Sequence, residues 1–254
     1  MRTQTFKQRL LAGDPLVGTF VKTPSHILIE ILAKSELDFL CLDGEHAPFD
    51  RTTTDSCIAV ARALDMPILV RVGIGTSDAI LQALDCGAVG VVVPHVNGAA
   101  MAEKIVRDAK FGTGGRGFAS STRWAGYATR TMQDVLDQSD QETVVIAQIE
   151  EPEVVPLAGE IAAVDGIDAL FVGPADLSIA MGKTDLDSDE LRAALAQVGQ
   201  AAQQAGKAMI SFVPETKRAL DWRQYGITTF FVGSEHAWIL QGANRVAAEL
   251  HDDD

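Results

Sequence analysis

Val144-Val145-Ile146-Ala147-Gln148-Ile149-Glu150 is an apolar run whose end carries Gln148 and Glu150. It is short enough for a strand, and it is continuous where a half-exposed strand would alternate. Burial on both faces explains that, as in parallel sheets covered by helices. Seven further runs share the pattern: Leu16–Val21, Phe39–Asp43, Ile68–Val72, Val89–Pro94, Ala169–Pro174, Lys207–Val213 and Thr229–Ser234. Ionisable side chains gather at or just past their C-terminal ends: Asp43, Glu45 and His46, then Arg71, then Glu150, then Asp176. Residues so placed meet in space only if the strands are parallel and the sheet closes on itself. The expectation is a single (β/α)8 barrel with its site on the C-terminal face.

The intervals support this. Helical patterns fill Ser25–Lys34, Asp50–Ala63, Thr76–Leu84, Ala99–Lys110, Glu151–Ala158, Ser188–Ala205, Pro214–Trp222 and Glu235–Leu250. Strand–helix alternation implies βαβ units. A barrel of this type takes roughly 250 residues, so one domain over residues 1–254 accounts for the chain, with Asp252–Asp254 a frayed acidic tail. One segment breaks the rhythm. Phe111–Asp140 is glycine-rich at its start and holds Arg123, Trp124 and Tyr127. Long connections in compact domains are more often functional than idle. Its Gly112–Gly117 matches GxGxxG but follows a helix, not a strand, which excludes a dinucleotide site.

A net charge of −14 without a basic patch argues against a nucleic-acid partner. No apolar run nears the ~20 residues of a membrane span, and Met1–Leu11 has no apolar signal core. The expected location is cytoplasmic, with no membrane partner. Cys41, Cys57 and Cys86 are odd in number and lack CxxC spacing, so buried free thiols are expected.

Several residues carry chemistry. In Asp43-Gly-Glu-His46 the histidine stands beside two carboxylates that can fix its tautomer; a hydrogen-bonded loop histidine fits the same spacing. Arg71 sits inside the buried run Ile68–Val72, where a guanidinium needs an anion: a substrate's, or a neighbouring acid's. Gln148 and Glu150 share a strand face. Glu150 and Asp176, from adjacent strand ends, suit a hard divalent cation held by oxygen; helix capping by Asp176 and dipole stabilisation by Glu150 and Glu151 suit the spacing as well. No cluster of His and Cys competes for a zinc ion. Backbone N–H groups at Ala175 and Asp176, where a strand end meets a helix start, suit a small carboxylate. Lys22 is the only lysine at a strand's C-terminal end, which weighs against a Schiff-base mechanism. His95, after Val93-Pro94, is a second candidate acid or base, whereas His26, His236 and His251 read as structural or exposed.

Asp43-Gly-Glu-His-Ala-Pro48, Arg71, Val93-Pro94, Arg116-Gly117, Gln148-Ile-Glu150 and Gly173-Pro-Ala-Asp-Leu-Ser178 together resemble the HpcH/HpaI aldolases, metal-dependent class II pyruvate aldolases. The resemblance runs from about Phe6 to about Val246, motifs in order. It implies a barrel enzyme that reversibly cleaves 4-hydroxy-2-oxo acids to an aldehyde and pyruvate, or a substituted pyruvate such as hydroxypyruvate. It also implies Glu150 and Asp176 as ligands of Mg²⁺, Mn²⁺ or Co²⁺, and Arg71 as the group that steadies an enolate. His46 and Asp43 become an acid/base relay, and Asp85 a residue reaching a neighbouring subunit's site. Gly173, Ala175 and Asp176 become the cradle of the pyruvyl carboxylate. The implied assembly is a homo-hexamer, a trimer of dimers that exchange their last helices. Phe20 and Phe212 depart from the residues common in relatives; with Trp124 they are expected to wall the pocket, and Gln148 to contact substrate. Gly233-Ser-Glu-His236 departs as well. Citrate-lyase-like enzymes acting on CoA thioesters, and a non-catalytic 2-oxo-acid binding protein, are the alternatives.

Overall fold

In the computed structural model, residues 1–251 are described; the Asp252–Asp254 tail lies outside them. Helix α1 (Arg2–Leu11) turns Phe6 and Leu10 inward at the N-terminal end of the barrel, Phe6 packing on Phe39 with ring centroids 5.4 Å apart. Then follow β1 (Leu16–Val21), α2 (His26–Leu32), β2 (Phe39–Asp43), α3 (Arg51–Ala63), β3 (Ile68–Arg71), α4 (Ser77–Asp85), β4 (Gly90–Val93) and α5 (Ala99–Ala109). The second half holds α6 (Met132–Glu142), β5 (Val144–Ile149), α7 (Ala158–Ala162), β6 (Ala169–Val172), α8 (Pro174–Ala180) and α9 (Asp189–Gln204). It closes with β7 (Ala208–Val213), α10 (Thr216–Trp222), β8 (Thr229–Ser234) and α11 (Glu235–His251). The eight strands form a closed barrel in chain order, every pair parallel, with β8 returning to β1.

Alternate residues of each strand point to two separate cores. Phe20, Phe39, Leu69, Val92, Ile146, Phe171, Ile210 and Phe231 fill the barrel, while Leu40, Val70, Val91, Val145, Leu170 and Met209 face the helices. The aromatic plug sets the close approaches: a Cβ on Gly18 would stand 2.5 Å from the Phe39 ring. Burial on both faces is why the strand sequences are apolar without alternation. It also places the charged residues of the strands at their C-terminal ends, Asp43 and Arg71.

Three elements differ from the sequence reading. The helix expected over Glu151–Ala158 begins later, as a short 3-10 turn over Val155–Leu157 leading into α7. Pro156 lacks the N–H that a helix begun at Glu151 would need there. The connection Phe111–Asp140 is shorter than expected, because a capping box of Thr131 and Asp134 starts α6 within it. What remains of it lies at the N-terminal end of the barrel, where Arg123 donates to the Cys86 carbonyl and Trp124 to that of Asp85. α1 itself went unread. The three cysteines are free and buried, as expected, and burial pushes the thiols of Cys57 and Cys86 up to about 11. No helix among the described residues is long and apolar enough to cross a membrane.

Candidate active site

Asp43 ends β2 and Arg71 ends β3, paired in register. Side by side at the barrel mouth, both are buried, and Arg71 donates from Nε (3.0 Å) and Nη2 (2.8 Å) to Asp43 Oδ1. Lys22, one residue past β1, donates from Nζ to Asp43 Oδ2 at 2.7 Å. The amides of Glu45 and His46 donate to Oδ1. Burial alone would raise the Asp43 pKa; Arg71, Lys22 and the His46 amide outweigh it and hold the carboxyl below its ordinary value. Gly44 makes the turn possible, since a Cβ there would stand 2.7 Å from the Arg71 carbonyl oxygen. The Arg71 guanidinium lies 4.4 Å over the Phe20 ring, and its Nη1 is 3.2 Å from Glu45 Oε2. Asp43 is thereby saturated, and Arg71 is held in one orientation with its outer edge toward Glu45.

Beside this pair, Glu45, His95 and Glu150 bring one potential ligand atom each to within 4.8 Å of one another. Glu150 follows β5 and is 3% exposed. His95, two residues past β4, donates its backbone N–H to Glu150 Oε1 at 2.8 Å. Its Nδ1 is 3.0 Å from Glu150 Oε1 and 2.7 Å from Glu151 Oε1, and its Nε2 is 3.5 Å from Glu45 Oε1. The Glu151 contact is the chief reason the His95 pKa is raised, with Glu150 and Glu45 adding to it. Burial, reinforced by Glu150, raises that of Glu45 against the pull of Arg71. Gln148 donates to Glu150 Oε2, while Gln148 Oε1 and Glu151 Oε2 are buried without a hydrogen-bond partner. A Cβ on Gly173 would stand 3.1 Å from Glu150 Oε2 and 3.4 Å from Gln148 Nε2, so a larger residue here would crowd both side chains. Converging carboxylates, an imidazole and unpartnered buried oxygens are a donor set that fits a divalent cation.

The structure redistributes the sequence candidates. Asp176 is the third residue of α8, exposed, and its carboxylate makes no hydrogen bond or ion pair among the described residues. It does not cap α8, whose N-cap is Gly173. The Gly173 N–H is taken by the Ile149 carbonyl, which leaves the first-turn amides of Ala175 and Asp176 as the free donors. His46 meets Asp43 through its backbone N–H only; its exposed ring lies 3.8 Å from Glu45 Oε2, so no His46–Asp43 relay is formed, because Arg71 and Lys22 already take the Asp43 oxygens. Phe20, at the top of the aromatic plug, and the half-buried Phe212 have ring centroids 6.2 Å apart. Trp124 does not join them. It is buried at the opposite end of the barrel with Phe111, Ala125 and Val135, 5.5 Å from the Arg116 guanidinium. Asp85, the last residue of α4, is at that end too, bound to Arg116 Nη2 at 2.6 Å. α4 runs back from the mouth to the start of β4, so neither residue reaches the mouth of its own barrel.

Four participants lie outside the roles expected from the sequence. Glu45 and Glu151 were read only as neighbours of better candidates. Lys22 stands in the sequence only as the one lysine at a strand end, without an assigned role, yet its ion pair with Asp43 makes it part of the Arg71 support. Glu235, 2% exposed at the start of α11, accepts from the amides of Lys22 (2.8 Å) and Thr23 (2.6 Å) and so pins the loop that carries Lys22. The signal for all of them was position at a strand end.

Known proteins repeat this arrangement of chain. The HpcH/HpaI aldolase/citrate lyase family profile matches residues 16–240. A protein of Delftia acidovorans named hydroxypyruvate/pyruvate aldolase is 34% identical over 246 residues, covering 94% of this chain and 89% of its own. One of Klebsiella pneumoniae named 4-hydroxy-2-oxo-heptane-1,7-dioate aldolase is 33% identical, covering 96% and 93%. The crystal structure of an HpcH/HpaI aldolase/citrate lyase family protein from Burkholderia cenocepacia superposes with a TM-score of 0.92 at 32% identity, over 98% of this chain and 99% of that one. With the profile spanning the barrel from β1 to within α11, and with relatives matched along almost their whole lengths, the chain belongs to the HpcH/HpaI aldolase/citrate lyase family.

Proposed function

We propose that this protein is a divalent-metal-dependent aldolase that reversibly splits 4-hydroxy-2-oxo acids into an aldehyde and pyruvate or a 3-substituted pyruvate such as hydroxypyruvate. Residues 1–254 act as one catalytic domain. The observation that carries this reading is the Glu45–His95–Glu150 cluster set beside the rigidly held Arg71 at the mouth of the barrel. The relatives that cover nearly the whole chain carry aldolase names, which favours this reaction over the CoA-thioester alternative.

The protein's own groups divide the work. Glu150, with Asp176 from the first turn of α8, would hold Mg²⁺, Mn²⁺ or Co²⁺, and Glu45 and His95 stand beside Glu150. When bound, the cation supplies Lewis-acid polarisation of the 2-oxo acid. The amides of Ala175 and Asp176 orient the carboxylate of the 2-oxo acid, and Gln148 fixes Glu150 and faces the same space. In cleavage a base takes the 4-hydroxyl proton, the C3–C4 bond breaks, its electron pair becomes the C2–C3 double bond of the enolate, the aldehyde departs, and a proton from solvent returned to C3 gives pyruvate. Arg71, already oriented by Asp43, places positive charge where the oxyanion develops, and no reorganisation is needed at that moment. His46, exposed at the mouth, is placed to exchange the proton with the hydroxyl or with solvent. Phe20 and Phe212 form the apolar wall against which the aldehyde lies.

Asp85 lies at the far end of its own barrel, so it can serve only a neighbour's site. α11 points the same way: Glu235 is its only buried residue, while Ile239, Leu240, Val246 and Leu250 are exposed. The reading is a cytoplasmic homo-hexamer, a trimer of dimers that exchange this helix, and the exposed apolar face of α11 supports an exchanged helix.

The test is pyruvate release from a panel of synthetic 4-hydroxy-2-oxo acids, followed by coupled reduction with lactate dehydrogenase. Release that needs a divalent cation supports the reading. Full activity in excess chelator, or a borohydride-trapped adduct on Lys22, would point to a lysine mechanism and overturn it.

A further inference from the structure

We propose that His95 supplies a nitrogen ligand to the cation of this site, which makes the site selective for borderline ions such as Co²⁺ over Mg²⁺. The inference rests on the metal-dependent reading above and adds to it a ligand that an oxygen-only site lacks.

The backbone gives the first argument. His95 has φ +55°, in the left-handed region that residues with a Cβ rarely enter. Such strain persists where the surroundings over-determine it, and it gathers at functional sites. Here the strained backbone sets both the main-chain N–H and the ring against the acids. The N–H is bound to Glu150 Oε1, Nδ1 faces Glu150 and Glu151, and Nε2 faces Glu45. The ring is 61% exposed, yet it meets three acids where a histidine held by one surface contact would meet one.

The acids give the second. Glu45, His95 and Glu150 follow three different strands, β2, β4 and β5, so the fold itself brings them together. Around them, Gln148 Oε1 and Glu151 Oε2 are buried and unpartnered, and a Cβ on Gly173 would crowd Glu150 Oε2 at 3.1 Å. Buried oxygens of this kind are costly unless something satisfies them. A cation between the carboxylates would satisfy them, and the imidazole is already at bonding range of the same group.

The competing account makes His95 only a counter-charge that neutralises the acids and leaves when metal binds. The two accounts differ in whether nitrogen is bonded to the ion. Imidazole favours Co²⁺, Ni²⁺ and Zn²⁺, whereas Mg²⁺ prefers oxygen. Outer partners of metal ligands are worth roughly 10–100-fold in affinity, and a direct ligand is worth no less.

The experiment is pulsed EPR on the full chain loaded with Mn²⁺, reading the hyperfine coupling to ¹⁴N, together with calorimetric titration of Co²⁺ and Mg²⁺. His95→Asn is the variant of choice, because asparagine accepts the left-handed backbone. The expected result is a nitrogen coupling in the wild type that disappears in His95→Asn and survives in His46→Asn. Co²⁺ affinity in His95→Asn should fall at least about tenfold, with Mg²⁺ affinity moving far less. Bound Mn²⁺ without nitrogen coupling in the wild type overturns the inference even if His95→Asn fails to fold, and so does a coupling that persists in His95→Asn. No Mn²⁺ binding by the wild type, or binding indifferent to Glu150→Gln, overturns instead the metal reading on which it stands.

Discussion

Gly173→Ala is a small perturbation with a directed consequence. Gly173 has φ −84° and ψ 92°, so alanine meets no backbone penalty there. Its Cβ would nevertheless stand 3.1 Å from Glu150 Oε2, 3.2 Å from Glu150 Cβ and 3.4 Å from Gln148 Nε2. Relief requires these side chains to give by a few tenths of an ångström. Metal bonds hold their lengths to about 0.2 Å, so the displacement is as large as a ligand can tolerate. Two small terms act on stability: ordering less backbone on folding gains about 0.4–1 kcal/mol, and crowding costs roughly 1–3 kcal/mol. The net is a modest loss in a domain that still folds. The effect on the site is larger, because Glu150 is turned away from the cluster. We expect Mn²⁺ affinity to fall on the order of 10–100-fold, with Tm lowered only slightly. Mn²⁺ titration by EPR and a thermal melt on the same preparation check both. A variant with wild-type Mn²⁺ affinity and a substantially lower Tm would show that Gly173 serves packing alone, and would refute the reasoning.

Asp43→Asn should behave in the opposite way. It leaves Arg71 and Lys22 facing a neutral amide, and breaking a buried pair costs roughly 3–5 kcal/mol, measurable by urea unfolding. Because the folded Asp43 titrates below its ordinary value of 3.8, the wild type should hold this stabilisation fully above that pH and lose it as pH falls through the lower folded value; a variant whose acid unfolding matches the wild type would contradict the saturation of Asp43. Phe212→Ala enlarges the wall beside Phe20 and should shift aldehyde preference by about 10–100-fold, read from an aldehyde panel. A loss of about 3–5 kcal/mol in stability with an unchanged ranking would instead make Phe212 barrel core. Asp85→Asn should lower turnover while light scattering still shows the hexamer, and an active monomer at assay concentration would exclude a role in trans.

The barrel was legible because its strands are buried twice over. That is why Leu16–Val21, Phe39–Asp43 and Thr229–Ser234 could be bounded to the residue. The site was legible as positions. Asp43, Arg71 and Glu150 end strands, and strand ends converge. What the sequence could not show is direction and partnership. His46 and Glu45 are adjacent, yet Glu45 turns toward the cluster while the His46 ring faces solvent, a choice set by the turn at Gly44. Arg71 was expected to meet substrate or an acid, and it meets two acids, Asp43 and Glu45. His95 joins the acids through a left-handed backbone that no pattern of residues announces. Trp124 misled because aromatic residues in a long connection suggest a pocket, whereas α5 delivers that connection to the closed end of the barrel. Pro156 moved the start of α7, a local effect visible in the chain once the missing N–H is counted.

The central claim is that this mouth forms the enolate of a 2-oxo acid with the help of a cation held at Glu150. The most direct measurement is exchange of the C3 protons of pyruvate for deuterium in D₂O, followed by proton NMR, with no aldehyde present. The account predicts exchange by the wild type that stops in excess EDTA, returns with Mn²⁺, and stays absent in Glu150→Gln under the same Mn²⁺. Exchange that continues undiminished in excess chelator, or that Glu150→Gln supports at the wild-type rate, would contradict it.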